Sequence, residues 1–347
     1  MQKTLIINTG GTIGMVHSDK NNKNSPLRPS LSWDEVTINY KFLEDLNVDY
    51  ISIDEIIDSV NMDYKKWIEV AHIIEKNYNK YIGFVILHGT DTMSYTASAL
   101  SFMLKNLDKP VILTGSQIPI QKMRSDGLQN LLTSIEIIEN NNYHNSNRIA
   151  EVCIFFRDYL FRGNRARKLN STNYFGFSSP NYLPLAEAGT QITVYNDRLL
   201  NIKSDCKFYV DYEIDPNVLM IDIFPSFHEG ILKKIFDGSH GIKGLVLRTY
   251  GSGNAPTNKE FLDVLEYIIK QGVIILNITQ CPVGSVEVGV YESSETLNKL
   301  GIVSGYDMTP EAAITKFMYL LGKCDTKEEI KKMLTENLAG EITIIWY

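Results

Sequence analysis

Apolar residues along this chain come in two alternating textures. Short continuous runs such as Leu5-Ile6-Ile7, Phe84-Val85-Ile86-Leu87 and Val152-Cys153-Ile154-Phe155-Phe156 have the length and composition of strands buried on both faces. Between them, apolar positions recur at helical spacing. Over 62–79, Trp67, Val70, Ala71, Ile73 and Ile74 approach the i, i+3, i+4, i+7 pattern, and over 93–107 Leu100, Met103, Leu104 and Leu107 do the same. Strand-like runs at 82–87, 110–114 and 151–156 separate these helical stretches. That order predicts βαβ units on a mostly parallel sheet with helices on both faces, an α/β fold.

The texture changes between residues 190 and 215. Thr190–Val194 and Lys207–Tyr212 look extended, and Asn196-Asp197-Arg198 looks like a turn. The expectation is a larger N-terminal domain over 1–190, a linker over 191–215 and a smaller C-terminal α/β domain over 216–347. Strands of the second block are expected near 218–223, 244–249 and 272–278. Its later helices carry end signals: Pro310 at a first helical position after Thr309, a capping box in Thr326-Lys327-Glu328-Glu329, and Gly340 as a stop. The segment Gly14–Ser30 is polar and rich in Asn, Lys and Ser. It reads either as a mobile lid or as an ordinary exposed loop.

Composition narrows the class. A length of 347 residues allows two domains, and 44% hydrophobic with 22% charged residues is ordinary for a globular protein. The net charge of −7 argues against a nucleic-acid binder that needs a broad basic footprint. No run approaches the roughly 20 apolar residues that span a bilayer, and the N-terminus enters Thr4-Leu5-Ile6-Ile7-Asn8 without a signal-peptide pattern. Cys153, Cys206, Cys281 and Cys324 are scattered, and Cys153 and Cys281 sit in or after apolar runs, so buried thiols are expected. The six histidines are dispersed, and nothing proposes a metal or cofactor. The expectation is a cytoplasmic, membrane-free protein.

Candidate chemistry lies at two strand ends. Thr9-Gly10-Gly11-Thr12-Ile13-Gly14 follows the first apolar run, and His88-Gly89-Thr90-Asp91-Thr92 follows Phe84–Leu87. Open parallel sheets gather chemistry at the carboxyl ends of their strands. Two hydroxyls there, one beside a carboxylate, suit nucleophilic attack on a carbonyl. Taken singly, each run also reads as a glycine-assisted turn with Thr90 or Asp91 capping a helix. G-x-G-x-x-G, the P-loop and G-x-S-x-G are all absent, which sets aside dinucleotide, P-loop and serine-hydrolase signatures. A threonine hydroxyl needs a base. Asp91 adjoins Thr90, and Arg162-Gly163-Asn164-Arg165-Ala166-Arg167-Lys168 is either a source of a partly buried lysine base or a solvated basic loop.

Four segments then act together: Asn8–Gly14, His88–Met93, Pro110–Gln117 and Arg162–Arg165, in that order, joined by Asp58-Ser59, Tyr250–Pro256, Thr279-Gln280-Cys281 and Asp307-Met308-Thr309. This ordered set, from residue 4 to beyond 310, closely resembles the bacterial-type L-asparaginase family, specifically its cytosolic type I branch. The resemblance implies a two-domain asparaginase fold and hydrolysis of the L-asparagine side-chain amide to L-aspartate and ammonia. It makes Thr12 the nucleophile of a covalent acyl-enzyme. Thr90, Asp91 and Lys168 form a second cluster, with Lys168 the proton acceptor.

The substrate is a zwitterion, so Asp91 suits its α-ammonium, while Ser59 with the backbone around Asp58 suits its α-carboxylate. The Thr90 main chain with Ser116 is the candidate oxyanion hole. The resemblance also assigns Tyr291 to orient Thr12, since Met15–Ser30 carries no tyrosine. It has Asn254 complete a neighbouring subunit's site in a homodimer or homotetramer, and it places an allosteric effector near Arg248 and Cys281. For Arg248 a structural ion pair is the equal alternative. Two other functions share these motifs. One is the amidase subunit of a tRNA-dependent amidotransferase, which carries a further N-terminal domain where this chain has eleven residues before Thr12. The other is a non-catalytic amino-acid sensor, expected to have lost one of Thr12, Thr90, Asp91 or Lys168.

Overall fold

In a computed structural model of the chain, eight strands of the first unit form one sheet. They are β1 (Lys3–Gly10), β2 (Val48–Ile57), β3 (Tyr81–Leu87), β4 (Val111–Thr114), β5 (Val152–Phe156), β6 (Tyr159–Arg162), β7 (Ala186–Ala188) and β8 (Ile192–Val194). The structure describes all residues except 1–2, 20–21, 23–24, 31, 38–39, 144–147, 203–205, 238–240, 288–291 and 344–347. The order across the sheet is β8-β7-β6-β5-β4-β3-β1-β2. Strands β1 to β5 are mutually parallel, and the β6, β7 and β8 edge is antiparallel. Asn8 of β1 pairs with Leu87 of β3, and Leu87 pairs with Thr114 of β4. The loops after β1, β3 and β4 therefore leave the sheet at one level.

The apolar runs become β1, β3, β4 and β5 because both faces of these strands are covered, and Leu5, Ile6, Ile7, Val85 and Ile86 are all buried. Strand β2 lacks that signature. It is an edge strand with exposed Asp54 and Glu55, so no continuous apolar run marks it. The first helix, α1 (Tyr64–Asn77), starts where Asp63 accepts from the backbone N–H groups of Lys65 and Lys66, and buries Trp67, Val70, Ala71 and Ile74. The helix expected over 93–107 is α2 (Met93–Met103); it stops early because Leu104-Lys105 pairs with Tyr209-Val210 as a short antiparallel ribbon. Helix α3 spans Gly127–Tyr143.

The first unit comprises Met1–Ser179 with Leu183–Tyr212, and the second Pro180–Tyr182 with Glu213–Tyr347. In the second, β9 (Val218–Asp222), β10 (Gly244–Thr249), β11 (Ile274–Thr279) and β12 (Val303–Ser304) form a parallel sheet in sequence order. Helices α4 (Glu229–Phe236) and α5 (Lys259–Lys270) build its core with Leu232, Phe261, Leu265 and Ile268 against Leu245 and Ile275.

Helix α6 (Pro310–Lys323) is capped by Thr309, which accepts from Ala312 N–H, and α7 (Lys327–Thr335) by Thr326, which accepts from Glu329 N–H. Helix α7 ends at Thr335, before Gly340. Gly340 instead takes φ 83° in the tail that follows, a left-handed conformation suited to glycine. Cys153 is buried, whereas Cys206 and Cys281 are exposed. Cys281 departs from the expectation because it follows β11 into a loop rather than ending the strand. No helix among the described residues is long and apolar enough to cross a membrane.

Candidate active site

The loops leaving β1, β2, β3 and β4 meet through glycine. Gly11 has φ +85°, and a Cβ there would lie 2.3 Å from the Gly89 nitrogen. A Cβ on Gly89 would in turn lie 2.4 Å from Ser59 Oγ. The two threonine loops thus touch backbone to backbone, and the Ser59 side chain packs on Gly89, contacts that any side chain at Gly11 or Gly89 would force apart. Thr12 follows as the half-buried first residue of a 3-10 turn over Thr12–Gly14, its carbonyl accepting from Met15 N–H.

Lys168 reaches the same edge from the far side of the sheet. Arg162 at the end of β6 is buried on Glu151, and Gly163–Arg165 forms a 3-10 turn. A Cβ on Gly163 would lie 3.0 Å from the Ala97 Cβ of α2. A ribbon pairing Arg167-Lys168 with Phe177-Ser178 then fixes Lys168. Its Nζ donates to Thr90 Oγ1 and to Asp91 Oδ1, each at 2.7 Å. Thr90 is buried, while the Lys168 and Asp91 side chains are 18% and 57% exposed. An ion pair this open adds little to stability, on the order of 1 kcal/mol, so its value lies elsewhere. A lysine that shed its proton here would be placed to take the Thr90 hydroxyl proton.

Ser59 and Ser116 are buried, and their hydroxyls have no hydrogen-bond partner among the described residues. Buried polar groups are nearly always paired, so the two hydroxyls at this edge have capacity for a further hydrogen bond, as do those of Thr4, Ser52, Ser94 and Ser179, which are likewise without a partner among the described residues. Asp58 is exposed and caps the 3-10 turn Ser59–Asn61, accepting from Val60 N–H. The Ser59 carbonyl accepts from the Thr92 hydroxyl at 2.7 Å, tying the β2 loop to the β3 loop. Ser116 is held by a residue that sequence reasoning passed over. The Asp126 carboxylate accepts from Gln117 N–H at 3.0 Å and from Ile118 N–H at 3.2 Å. Gly127, at the start of α3, leaves only a tight fit for a Cβ, which would lie 3.1 Å from Ser116 Cβ and 3.2 Å from the Ile13 side chain. The signal was Ser125-Asp126-Gly127 ahead of a helical apolar pattern, a helix-start signature.

The structure therefore brings Thr12, Ser59, Thr90, Asp91, Ser116 and Lys168 to one edge of the first-unit sheet. Asn254, Arg248 and Cys281 belong to the second unit. Arg248 donates to both oxygens of Asp222, at 2.9 and 3.0 Å, although its buried Nε has no partner among the described residues. Cys281 N–H donates to Thr279 Oγ1 at 3.0 Å. Asn254 exchanges two backbone hydrogen bonds with Tyr250. Tyr291 lies outside the described residues. Among the described residues no group of three or more His, Cys, Asp or Glu is placed to hold a metal.

Comparison with known proteins matches residues 3–200 to the family Asparaginase, N-terminal, and residues 217–334 to the Glutaminase/Asparaginase C-terminal domain. L-asparaginase 1 of Escherichia coli (strain K12) is 43% identical over 268 residues, 76% of this chain and 75% of that one. Among solved structures, L-asparaginase I from Vibrio cholerae matches with TM-score 0.86 at 38% identity, covering 99% of this chain and 100% of that one. A probable cytoplasmic L-asparaginase from Campylobacter jejuni matches with TM-score 0.75 at 25% identity, over 97% and 100%.

Proposed function

The chain belongs to the asparaginase family, and on that premise we propose that it hydrolyses the side-chain amide of L-asparagine to L-aspartate and ammonia. The observation that carries this reading is the Lys168 ammonium within 2.7 Å of both Thr90 Oγ1 and Asp91 Oδ1, on a loop packed against the one bearing Thr12. Thr12 Oγ attacks the amide carbon, and its proton passes on to the amide nitrogen. The resulting oxyanion takes hydrogen bonds from the Thr90 main chain and Ser116. The C–N bond breaks as the nitrogen gains a proton, and ammonia leaves an ester on Thr12. Water then adds to that ester, with Thr90 and Lys168 relaying its proton, and L-aspartate is released. Asp91 receives the substrate ammonium. Ser59 receives its α-carboxylate, with the backbone at Asp58 beside it.

The same reading extends to regulation and assembly. Tyr291 orients Thr12, Asn254 completes the site of a second subunit in a homodimer or homotetramer, and Arg248 with Cys281 takes an effector carboxylate. The protein works in the cytoplasm without a cofactor. The test is ammonia release by purified protein across L-asparagine concentration, with L-glutamine and Thr12→Ala alongside. Saturable release lost in Thr12→Ala is the expected result. No release from either amide would overturn the reading in favour of an amino-acid sensor or a partner-dependent amidotransferase subunit.

A further inference from the structure

His88 ends the run that becomes β3 and is completely buried. Its Nδ1 lies 2.7 Å from the Gly89 carbonyl oxygen, and its Nε2 lies 2.8 Å from Thr96 Oγ1 on α2. The Trp67 indole of α1 donates to that same oxygen at 3.1 Å. A carbonyl oxygen can only accept, so Nδ1 carries the proton. Burial holds the imidazole pKa down to about 4, which keeps the ring neutral at pH 7, so Nε2 is a bare acceptor. The Thr96 hydroxyl therefore accepts from Trp67 and donates to His88. Every proton in the chain Trp67–Thr96–His88–Gly89 has one place to be.

The consequence falls on the next peptide. In a trans peptide the C=O and the following N–H point to opposite sides. With the Gly89 oxygen held on the buried side by His88, the Thr90 N–H is aimed away from it. That N–H donates to no acceptor among the described residues. Gly11 packs on Gly89 from another side, so the peptide is gripped twice.

We infer that His88 is a positioning residue: its neutral Nδ1–H tautomer clamps the Gly89 carbonyl so that the Thr90 N–H is presented as an oxyanion-hole donor. This rests on the amide-hydrolysis reading above. Leucine would fill a buried site at less desolvation cost than imidazole, and the hydrogen-bond chain to α1 and α2 is what the imidazole adds.

The test compares His88→Leu, His88→Asn and His88→Gln with wild type, each checked for fold by circular dichroism and Tm. Asparagine places its amide nitrogen near the Nδ1 position, whereas glutamine places it near Nε2. His88→Leu and His88→Gln are expected to lose kcat by about tenfold to a hundredfold, with KM within about threefold. His88→Asn recovers most of the loss. Nitrogen-15 NMR of the wild type should show a neutral ring protonated on Nδ1. A folded His88→Leu with kcat within about twofold of wild type, or a ring protonated on Nε2, would overturn the inference. A wild type that releases no ammonia would instead overturn the amidase reading and the role given to Thr90. The NMR result would still report on the tautomer, so the two failures are told apart.

Discussion

Two lysines each hold a carboxylate at 2.7 Å, and their surroundings could hardly differ more. Lys168 touches a hydroxyl and the half-exposed Asp91. Lys316 of α6 and its partner Glu341 are both 0% exposed. The Lys316 ammonium also donates to the carbonyls of Leu334 and Glu336, at 3.0 and 2.5 Å, and Glu341 accepts from the backbone N–H groups of Leu338 and Ala339. Around Lys316 the hydrogen bonds of one charge are the caps of another, and the tail after α7 is pinned. At the strand ends that also carry its partners Thr90 and Asp91, the buried hydroxyls of Ser59 and Ser116 have no partner among the described residues. The difference separates a charge that holds structure from a charge kept available for chemistry.

The largest effect that would test this contrast is on turnover. Lys168→Met should lower kcat by about 10³, within the usual span for a lost general base, while leaving Tm close to wild type because an open pair contributes little. A variant that retains kcat, or one that unfolds instead, breaks the contrast. Lys316→Met should do the reverse. It strands Glu341 in the interior at a cost of about 3–5 kcal/mol, and the double variant Lys316→Met/Glu341→Leu should regain most of it. Urea unfolding followed by kcat per folded molecule reads both numbers. Equal stability in single and double variants would mean that the tail is held by something else.

Neither lysine's role was legible from its neighbours in sequence. Lys168 ends a basic run that spacing alone assigns to solvent, and only the pairing of Arg167-Lys168 with Phe177-Ser178 turns it inward. Lys316 sits in an ordinary helical pattern, and the partner that allows its burial comes 25 positions later. The strands were easier. A parallel strand covered on both faces must be apolar throughout, so β1 and β3 announce themselves, while the half-covered edge strand β2 does not. The candidate site was legible where a backbone contact demands glycine, as at Gly11 and Gly89. It was hidden where a distant side chain such as Asp126 does the holding.

His88 supplies an intermediate case, a buried base kept neutral rather than paired. Its native pKa of about 4 lies below the ordinary 6.5. Between those values the unfolded chain binds a proton that the native state refuses. Stability contributed by this residue is therefore fully present above pH 6.5 and is lost as pH falls toward 4. The loss is on the order of 3 kcal/mol. Relative to wild type, His88→Leu should gain that much between pH 7 and 4 in urea unfolding. A difference that stays constant with pH would mean that His88 is not held neutral.

The smallest effect is the most specific to the contrast, because it runs in opposite directions for stability and function. Ser116 Oγ is buried without a partner among the described residues, and an unpaired buried hydroxyl weighs on the empty protein by roughly 1 kcal/mol or more. Ser116→Ala removes that burden. Tm should rise by about 2–4 °C, while kcat for L-asparagine falls by about a hundredfold as the oxyanion loses a donor. At Lys316 no such trade exists, since each of its hydrogen bonds is already made within the fold and removing one can only weaken it. A thermal scan and a kcat measurement on the same Ser116→Ala preparation decide the matter. If Tm falls, the hydroxyl has a protein partner in solution. If kcat is unchanged, the oxyanion does not use it, and the Ser116 hydroxyl is no part of what keeps the Lys168 edge available for chemistry.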